Sequence, residues 1–469
     1  MRFSPFLSSL LVLLLFAAFA GSSILSSCSR VPELSKPNII FIMADDLGYA
    51  EAGCYGQELI KTPNIDRLAE EGMRFTQCYS GSSVCAPARS VLMTGMHTGH
   101  TRVRGNFGKG GVVGLAGGPG RVPLREKDIT IAQLLQEAGY VTGMVGKWGL
   151  GEPKTSGEPN RKGFDEFYGF LNQRRAHSYY PEYIWKDTVK IDLPGNRNGE
   201  KKEYTEDLFA SYALDFIDRH KDEAFFLYLP LCIPHARYEL PDLGIYSEMD
   251  WTEKEKTYAA MISRMDSHIG GIMDKLKQLG IDNNTYVFFT SDNGVAEIPN
   301  SWGKFQSSGP LRGTKRDPYE GGIRVPMIVR HPNSIKAASS SDLAWYFADV
   351  MPTLAEIANI PSPENIDGVS VLPTLLGKEQ NLDQRSLYWE FYEMAGWRVV
   401  RFGDWKAIQH GMHNEEPGAI ELYNLKDDIG ETRNLAAEKP EIVSRALELF
   451  KEEHVNSEEF QWGQPIPEF

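Results

Sequence analysis

Asn38-Ile39-Ile40-Phe41-Ile42-Met43-Ala44-Asp45-Asp46 is an unbroken apolar run that ends in two carboxylates. A run of this kind reads as a buried strand of an α/β sheet, which delivers functional groups at its carboxyl end. Three further runs end in the same way. Val141 to Val145 leads into Gly146-Lys147-Trp148-Gly149, Ala224 to Leu231 ends near Pro234-His235, and Tyr286 to Thr290 precedes Ser291-Asp292-Asn293-Gly294. Helical patterns lie between them. Thr62-Pro63 opens one, with Ile65, Leu68 and Ala69 on one face and Gly72 predicted to close it as a cap; Ile131 to Ala138 forms another, ending at Gly139.

Cys85-Ala86-Pro87-Ala88-Arg89 places a thiol, a proline and an arginine within one turn of a predicted helix start. Proline suits the first turn, where its missing N–H costs nothing, and the free amides there face any bound anion. Asp45, Asp46, Asp292 and Asn293 make an all-oxygen set, which suits a hard cation such as Ca²⁺ or Mg²⁺ better than zinc. Each Asp or Asn pair beside a glycine is also ordinary turn chemistry.

On these residues the chain resembles the type I sulfatases of the alkaline-phosphatase superfamily, whose maturation motif is Cys-x-Pro-Ser-Arg or a close variant. Here Ala88 stands at the serine position. The resemblance runs from about Pro37 to Leu422-Tyr423-Asn424-Leu425. It implies an α/β fold: a large domain with a central mixed, mostly parallel sheet flanked by helices, plus a smaller C-terminal antiparallel sheet subdomain with a helix. The β-like runs Leu387-Tyr388-Trp389-Glu390 and Trp397 to Ile408, followed by a helical stretch from Glu441 to Glu453, fit that smaller part. The expected division is a leader over 1–27, a catalytic domain over 28–375 and the C-terminal subdomain over 376–469.

The resemblance also assigns roles. Cys85 is the residue oxidised to Cα-formylglycine by a separate formylglycine-generating enzyme. One hydroxyl of the hydrated aldehyde attacks sulfur, and collapse of the resulting hemiacetal sulfate later expels sulfate. Arg89 holds the nucleophile, Lys147 and Lys315 stabilise the sulfate oxygens, and His235 protonates the leaving alcohol. Asp45, Asp46, Asp292 and Asn293 are the metal ligands, for Ca²⁺ with Mg²⁺ as the alternative. One position departs from the pattern, because the family's Gly-Lys-Trp-His-Leu-Gly is here Gly146-Lys147-Trp148-Gly149-Leu150-Gly151. His100, or else His97, is expected to supply the missing histidine's function.

Substrate recognition is expected in Arg102, Arg104 and Asn106 and in Gln173, Arg174 and His177, because guanidinium, amide and imidazole groups bind sugar hydroxyls. The expected substrate is a terminal sulfated sugar of a glycan, galactose or N-acetylgalactosamine, with His177 reading a hydroxyl. A solvated loop is the alternative for the segment around His177. Two other functions stay open at this point. A phosphatase or phosphodiesterase of the same superfamily would normally use serine or threonine where this chain has Cys85, and a sulfated-glycan-binding protein with weak activity would fit Gly149.

The 469 residues, 42% of them hydrophobic, are enough for a large core, and a formal net charge of −14 argues against nucleic-acid binding. The N-terminus, with Arg2, an apolar stretch from Phe6 to Ala20 and Leu25-Ser26-Ser27-Cys28, reads as an export signal with a bacterial lipobox. Lipidation of Cys28 would make that anchor the only membrane contact. An ordinary signal peptide or a single anchoring helix is the alternative. Either way the enzyme is expected outside the cytoplasm, in the periplasm or on the outer membrane. Cys54 and Cys78 could pair; buried free thiols are the other reading for them and for Cys232.

Overall fold

The computed structural model of the protein describes residues 1, 36–109 and 120–464, so the expected leader and Cys28 lie outside the described residues. Strand β1 (Asn38–Asp45) is buried along its whole length. Ile39, Phe41 and Met43 enter one core, while Ile40, Ile42 and Ala44 enter a second on the opposite face. A strand covered on both faces reads as a continuous apolar run rather than an alternating one.

β1 lies within a block of five adjacent strands that run in one direction. In spatial order the parallel set is β8 (Thr285–Ser291), β1, β7 (Phe225–Pro234), β3 (Val141–Lys147) and β4 (Glu166–Phe170). Antiparallel β9 (Met327–Arg330) follows β8, then β2 (Met73–Phe75) and β10 (Ser339–Ser341). On the other side β5 (Tyr183–Lys186) and β6 (Val189–Asp192) complete ten strands. The sheet is therefore mixed and mostly parallel at its centre, as expected.

Helices α1 (Pro63–Glu70), α4 (Thr205–Arg219) and α5 (Glu253–Leu279) cover one face. On the other lie α2 (Cys85–Thr94), α3 (Ile131–Glu137) and α6 (Val350–Ile357). Gly139 follows α3 at φ +82°, the left-handed position that favours glycine. Gly72 works differently from the cap expected of it. The residue after α1, Glu71, keeps a helical backbone, and a Cβ on Gly72 would stand 2.5 Å from the Val329 carbonyl oxygen. Close passage against β9 is what requires that glycine.

The C-terminal part is a four-stranded antiparallel sheet, β11 (Ser386–Phe391), β12 (Trp397–Phe402), β13 (Trp405–His410) and β14 (Ile420–Asn424). Tyr388, Val400, Ala407 and Leu422 on one face meet Ala446, Leu449 and Phe450 of α7 (Pro440–Glu452), while Trp389, Phe391, Val399 and Ile408 join the main core. The described residues from Lys36 onward form one compact unit. Cys54, Cys78, Cys85 and Cys232 are all free thiols, so the Cys54–Cys78 pairing does not form. Among the described residues no helix is long and apolar enough to cross a membrane.

Candidate active site

The register of the parallel strands brings their carboxyl ends together. Ala44 pairs with Ser291 and Asp45 with Pro234, so the residues that follow each strand meet above the sheet. The Asp292 amide donates to the Ala44 carbonyl at 3.0 Å, and the Asp46 amide donates to Asp292 Oδ1 at 3.1 Å. Asp46 turns the chain at φ +66°, a left-handed conformation that aspartate tolerates better than most residues. Lys147 ends β3, and His235 follows β7.

Cys85 is the first residue of α2, whose ten residues are all buried. The helix has no side-chain cap of its own at Val84; the Ala86 amide instead donates to Asn106 Oδ1 at 3.2 Å. Cys85 Sγ lies 3.4 Å from Asp45 Oδ1 and 3.6 Å from Lys315 Nζ. One turn further on, Arg89 reaches beneath the site rather than to Cys85. Its Nη2 donates to Asp292 Oδ2 at 2.8 Å and its Nη1 to the Lys147 carbonyl at 2.6 Å.

Three cations and three carboxylates interlock in this floor, with Arg89 Nη2 lying 3.6 Å from Asp45 Oδ2 as well. Lys147 donates to Asp45 at 2.5 Å and Lys315 to Asp46 at 2.7 Å, while Arg89 holds Asp292. All six side chains are nearly or fully withdrawn from water. Burial works against the charge on Asp46, yet Lys315, by its charge and its hydrogen bond, and the Asn293 hydrogen bond outweigh it and hold that carboxyl well below the usual range. For Asp292 burial and the neighbouring Asp45 prevail, and its carboxyl is raised. Burial and then Asp292 and Asp45 push the Cys85 thiol up to about 12, so it stays protonated near neutrality.

His235 Nε2 stands 3.4 Å from Asp46 Oδ2, and its Nδ1 meets the Ala236 carbonyl. Burial, reinforced by Lys315 and Lys147 against the pull of Asp46, lowers the imidazole to about 3. His177 stacks on it, with ring centroids 3.9 Å apart, and burial likewise keeps His177 neutral.

Above the floor is a cavity of about 300 Å³ lined by Cys85, Asp46, Lys315, His235 and His177, with Asn106, Gln173 and Arg174 in its walls. It adjoins a groove of about 720 Å³, with which it shares Arg174, His177 and His235. Three of the expected residues are elsewhere. Arg104 is buried and donates to the Thr101 and Val455 carbonyls and to Glu390. Arg102 pairs with Glu459 and donates to the Pro123 carbonyl. Both therefore tie the loop after α2 to the C-terminal segment, and neither lines the cavity. His100 donates from Nδ1 to the Asp367 carboxylate at 2.8 Å and stacks on His97, which meets Glu453 at 3.1 Å. These histidines fasten the end of α2 to α7 and its neighbours, so the structure corrects the expectation that either replaces the histidine absent at position 149.

Arg121, like Arg316, is a charged cavity residue that sequence reading missed. It carries no motif, and only the fold brings it from the loop before α3 to Cys85. Gln173 fills the space over Gly149: a Cβ there would stand 2.5 Å from Gln173 Cγ.

Asp45, Asp46, Asp292 and Asn293 fit a hard cation. Asn293 Nδ2 donates to Asp46 Oδ1 at 2.7 Å and to the Gly294 carbonyl at 2.9 Å, which leaves Asn293 Oδ1 buried with no hydrogen-bond partner. An orphaned buried oxygen beside three buried carboxylates is the donor set that Ca²⁺ or Mg²⁺ takes.

A buried, polar pocket with cations and a helix N-terminus at the carboxyl ends of parallel strands suits an anionic ligand. The family model described as Sulfatase matches residues 37–360, and that described as N-sulphoglucosamine sulphohydrolase, C-terminal, matches 314–454. N-acetylgalactosamine-6-sulfatase of Canis lupus familiaris is 33% identical over 79% of this chain and 71% of its own length. Arylsulfatase A of Homo sapiens is 31% identical over 92% of this chain and 90% of its own. Among solved structures, Ps i-CgsB in complex with k-i-k-neocarrahexaose superposes with a TM-score of 0.77 at 27% identity, covering 89% of this chain and 92% of that one. The putative sulfatase yidJ from Bacteroides fragilis gives 0.72 at 26%, covering 89% and 96%. The chain belongs to the sulfatase family and is a sulfuric ester hydrolase.

Proposed function

We propose that this protein removes sulfate from a terminal sulfated sugar of a glycan, galactose or N-acetylgalactosamine, through a formylglycine made from Cys85. The observation that carries the chemistry is the state of Cys85 itself. A thiol held protonated by burial and two carboxylates is a poor nucleophile, so its position at the helix start makes sense for a modified residue. The hydrated aldehyde supplies a hydroxyl that attacks sulfur and afterwards lets sulfate leave without water attacking sulfur. Asp45, Asp46, Asp292 and Asn293 would hold Ca²⁺, or Mg²⁺, and that cation would neutralise charge on the nucleophile and the sulfate oxygens.

The chain's own residues do the remainder. Arg89 fixes Asp292 and the end of β3, setting the positions of the groups around residue 85. Lys147 and Lys315 place positive charge where the sulfate oxygens gather negative charge. His235 is positioned to give a proton to the leaving alcohol. It is neutral in the free site, and an anionic substrate beside it favours the protonated form. The small cavity opening into a wider groove suits one sugar at the site with the rest of the glycan outside. Relatives named for N-acetylgalactosamine 6-sulfate, and a similar structure that holds a neocarrahexaose, support a glycan substrate. Export with a lipid anchor at Cys28, and maturation by a formylglycine-generating enzyme, belong to the same reading.

The test is sulfate release from a panel of sulfated mono- and oligosaccharides by protein coexpressed with the maturing enzyme. His177→Ala is expected to lose discrimination between sugar epimers at the ring position next to the sulfate. Unchanged selectivity would remove His177 from substrate reading, and no release from any panel member by protein carrying the aldehyde would sink the glycan assignment.

The cation has its own test. Adding Ca²⁺ to metal-stripped protein at about 100 times its dissociation constant is expected to stabilise the fold by about 2.7 kcal/mol, read as a raised unfolding midpoint. Asn293→Leu should remove most of that gain. An equal response in the variant would show that the cation binds elsewhere.

A further inference from the structure

The floor of the cavity spends its cations on its own carboxylates, but one wall does not. Arg121 lines the cavity with Cys85, and none of its guanidinium nitrogens is within ion-pairing distance of a carboxylate among the described residues. Its Nη1 donates to the Asn106 carbonyl at 3.0 Å and to Gln173 Oε1 at 2.7 Å, and the guanidinium lies over the Phe107 ring at 4.7 Å. Burial lowers its pKa, and Glu152 and Glu393 only partly offset this. A cation so placed is costly unless an anion joins it. Arg174 and Arg316 also line the cavity without ion pairs among the described residues, but both are exposed and hydrated.

Gln173 adds an independent observation. It is 3% exposed, and its Nε2 has no hydrogen-bond partner. The orientation of the carboxamide is not free, because guanidinium only donates and must meet the oxygen. With Oε1 taken by Arg121, the two N–H bonds of Nε2 are left for another acceptor, from a position over Gly149 in the wall of the same cavity. A side chain at position 149 would exclude this amide.

We infer that Arg121 and Gln173 form an oxyanion clamp that grips the ester sulfate of the substrate, with the Gln173 amide occupying space that Gly149 leaves open. The inference rests on the sulfatase reading and adds two residues to its site. The ligand chemistry is a tetrahedral oxyanion with at least two free oxygens. It comes either from the sulfate being removed or from a second anionic substituent on the same sugar, and the short reach from Gln173 to the residue 85 cavity favours the first.

Inorganic sulfate is the probe, since it has no sugar to read. In matured, metal-loaded enzyme, Gln173→Ala and Arg121→Ala are each expected to weaken sulfate binding by about 10–100-fold, measured by calorimetry and as a competitive inhibition constant. The kcat/KM on a monosulfated monosaccharide should fall by a similar factor. Gln173→Glu keeps the shape, reverses the preference and should bind sulfate worse than Gln173→Ala. Arg121→Lys covers the case in which Arg121→Ala does not fold, and should lose at least about tenfold because an ammonium lacks the planar fork that lets one guanidinium nitrogen hold the amide oxygen while another faces an anion. Aldehyde content by mass spectrometry and the unfolding midpoint separate these effects from lost maturation or lost folding.

Unchanged sulfate affinity in folded variants overturns the inference, as does a wild type that does not bind sulfate. Variants that keep sulfate affinity but lose the preference for a disulfated over a monosulfated sugar also overturn it, in favour of a second anionic group. The sulfatase reading fails differently, through absence of sulfate release by the wild type.

Discussion

Cys85→Ala is expected to cut sulfate release by the matured enzyme at least about 10³-fold, to the background of the assay, because the nucleophile is deleted while the pocket is kept. Alanine is a good helix former, and the cysteine makes only long sulfur contacts to Asp45 and Lys315. The unfolding midpoint should therefore barely move, and sulfate should still bind. Protein produced without the maturing enzyme carries the neutral thiol and should be as inactive as the variant. Turnover above a tenth of the wild-type rate in either sample would refute a nucleophile at position 85.

Arg89→Met is expected to damage both stability and activity. Arg89 is fully buried, and its guanidinium holds Asp292 at 2.8 Å and the Lys147 carbonyl at 2.6 Å. Methionine fills much of the volume but leaves the Asp292 carboxylate with one cation fewer, and removing one member of a buried pair costs about 3–5 kcal/mol. Asp292 already lies among carboxylates, with its own carboxyl raised, so the loss should raise it further. The variant should melt earlier and lose at least about 10²-fold in kcat, because displaced Asp292 and Lys147 no longer face residue 85. A variant with the wild-type midpoint would show that Arg89 carries no such burden.

Bound Ca²⁺ bears on that experiment. With the cation present, part of the charge left on Asp292 is neutralised, so the stability loss should be smaller in Ca²⁺ than in chelator. The difference between the two conditions measures how closely Arg89 and the cation share the same carboxylates.

Much of the site was legible because strand ends are legible. The run from Asn38 to Ala44 must be a buried strand, and a buried strand of a parallel sheet can only present Asp45 and Asp46 at its end. The same logic applies to Lys147, His235 and Asp292, and β-pairing then brings the four ends to one place. Loop residues lack such a constraint. Arg102 and Arg104 carry the same charge and occur just downstream of the nucleophile, yet the chain folds them toward Glu459 and Glu390. His100 lies near the end of α2, and α2 points its far end away from the cavity and toward Asp367. Gly72 reads as a helix cap in one dimension and proves to be a packing contact in three.

The sequence by itself determined the class of fold, the all-oxygen set of Asp45, Asp46, Asp292 and Asn293 at the strand ends and the helix that begins at Cys85, since each follows from local pattern and residue chemistry. Only the tertiary structure decided which cations remain unpaired. Pairing depends on distances between segments far apart in the chain: 102 residues separate Lys147 from Asp45, 269 separate Lys315 from Asp46, and 52 separate Arg121 from the Gln173 amide it holds. Electrostatic energy falls with distance in space, not along the chain, so the arginine that matters to an anionic substrate could be found only once its neighbours were in place.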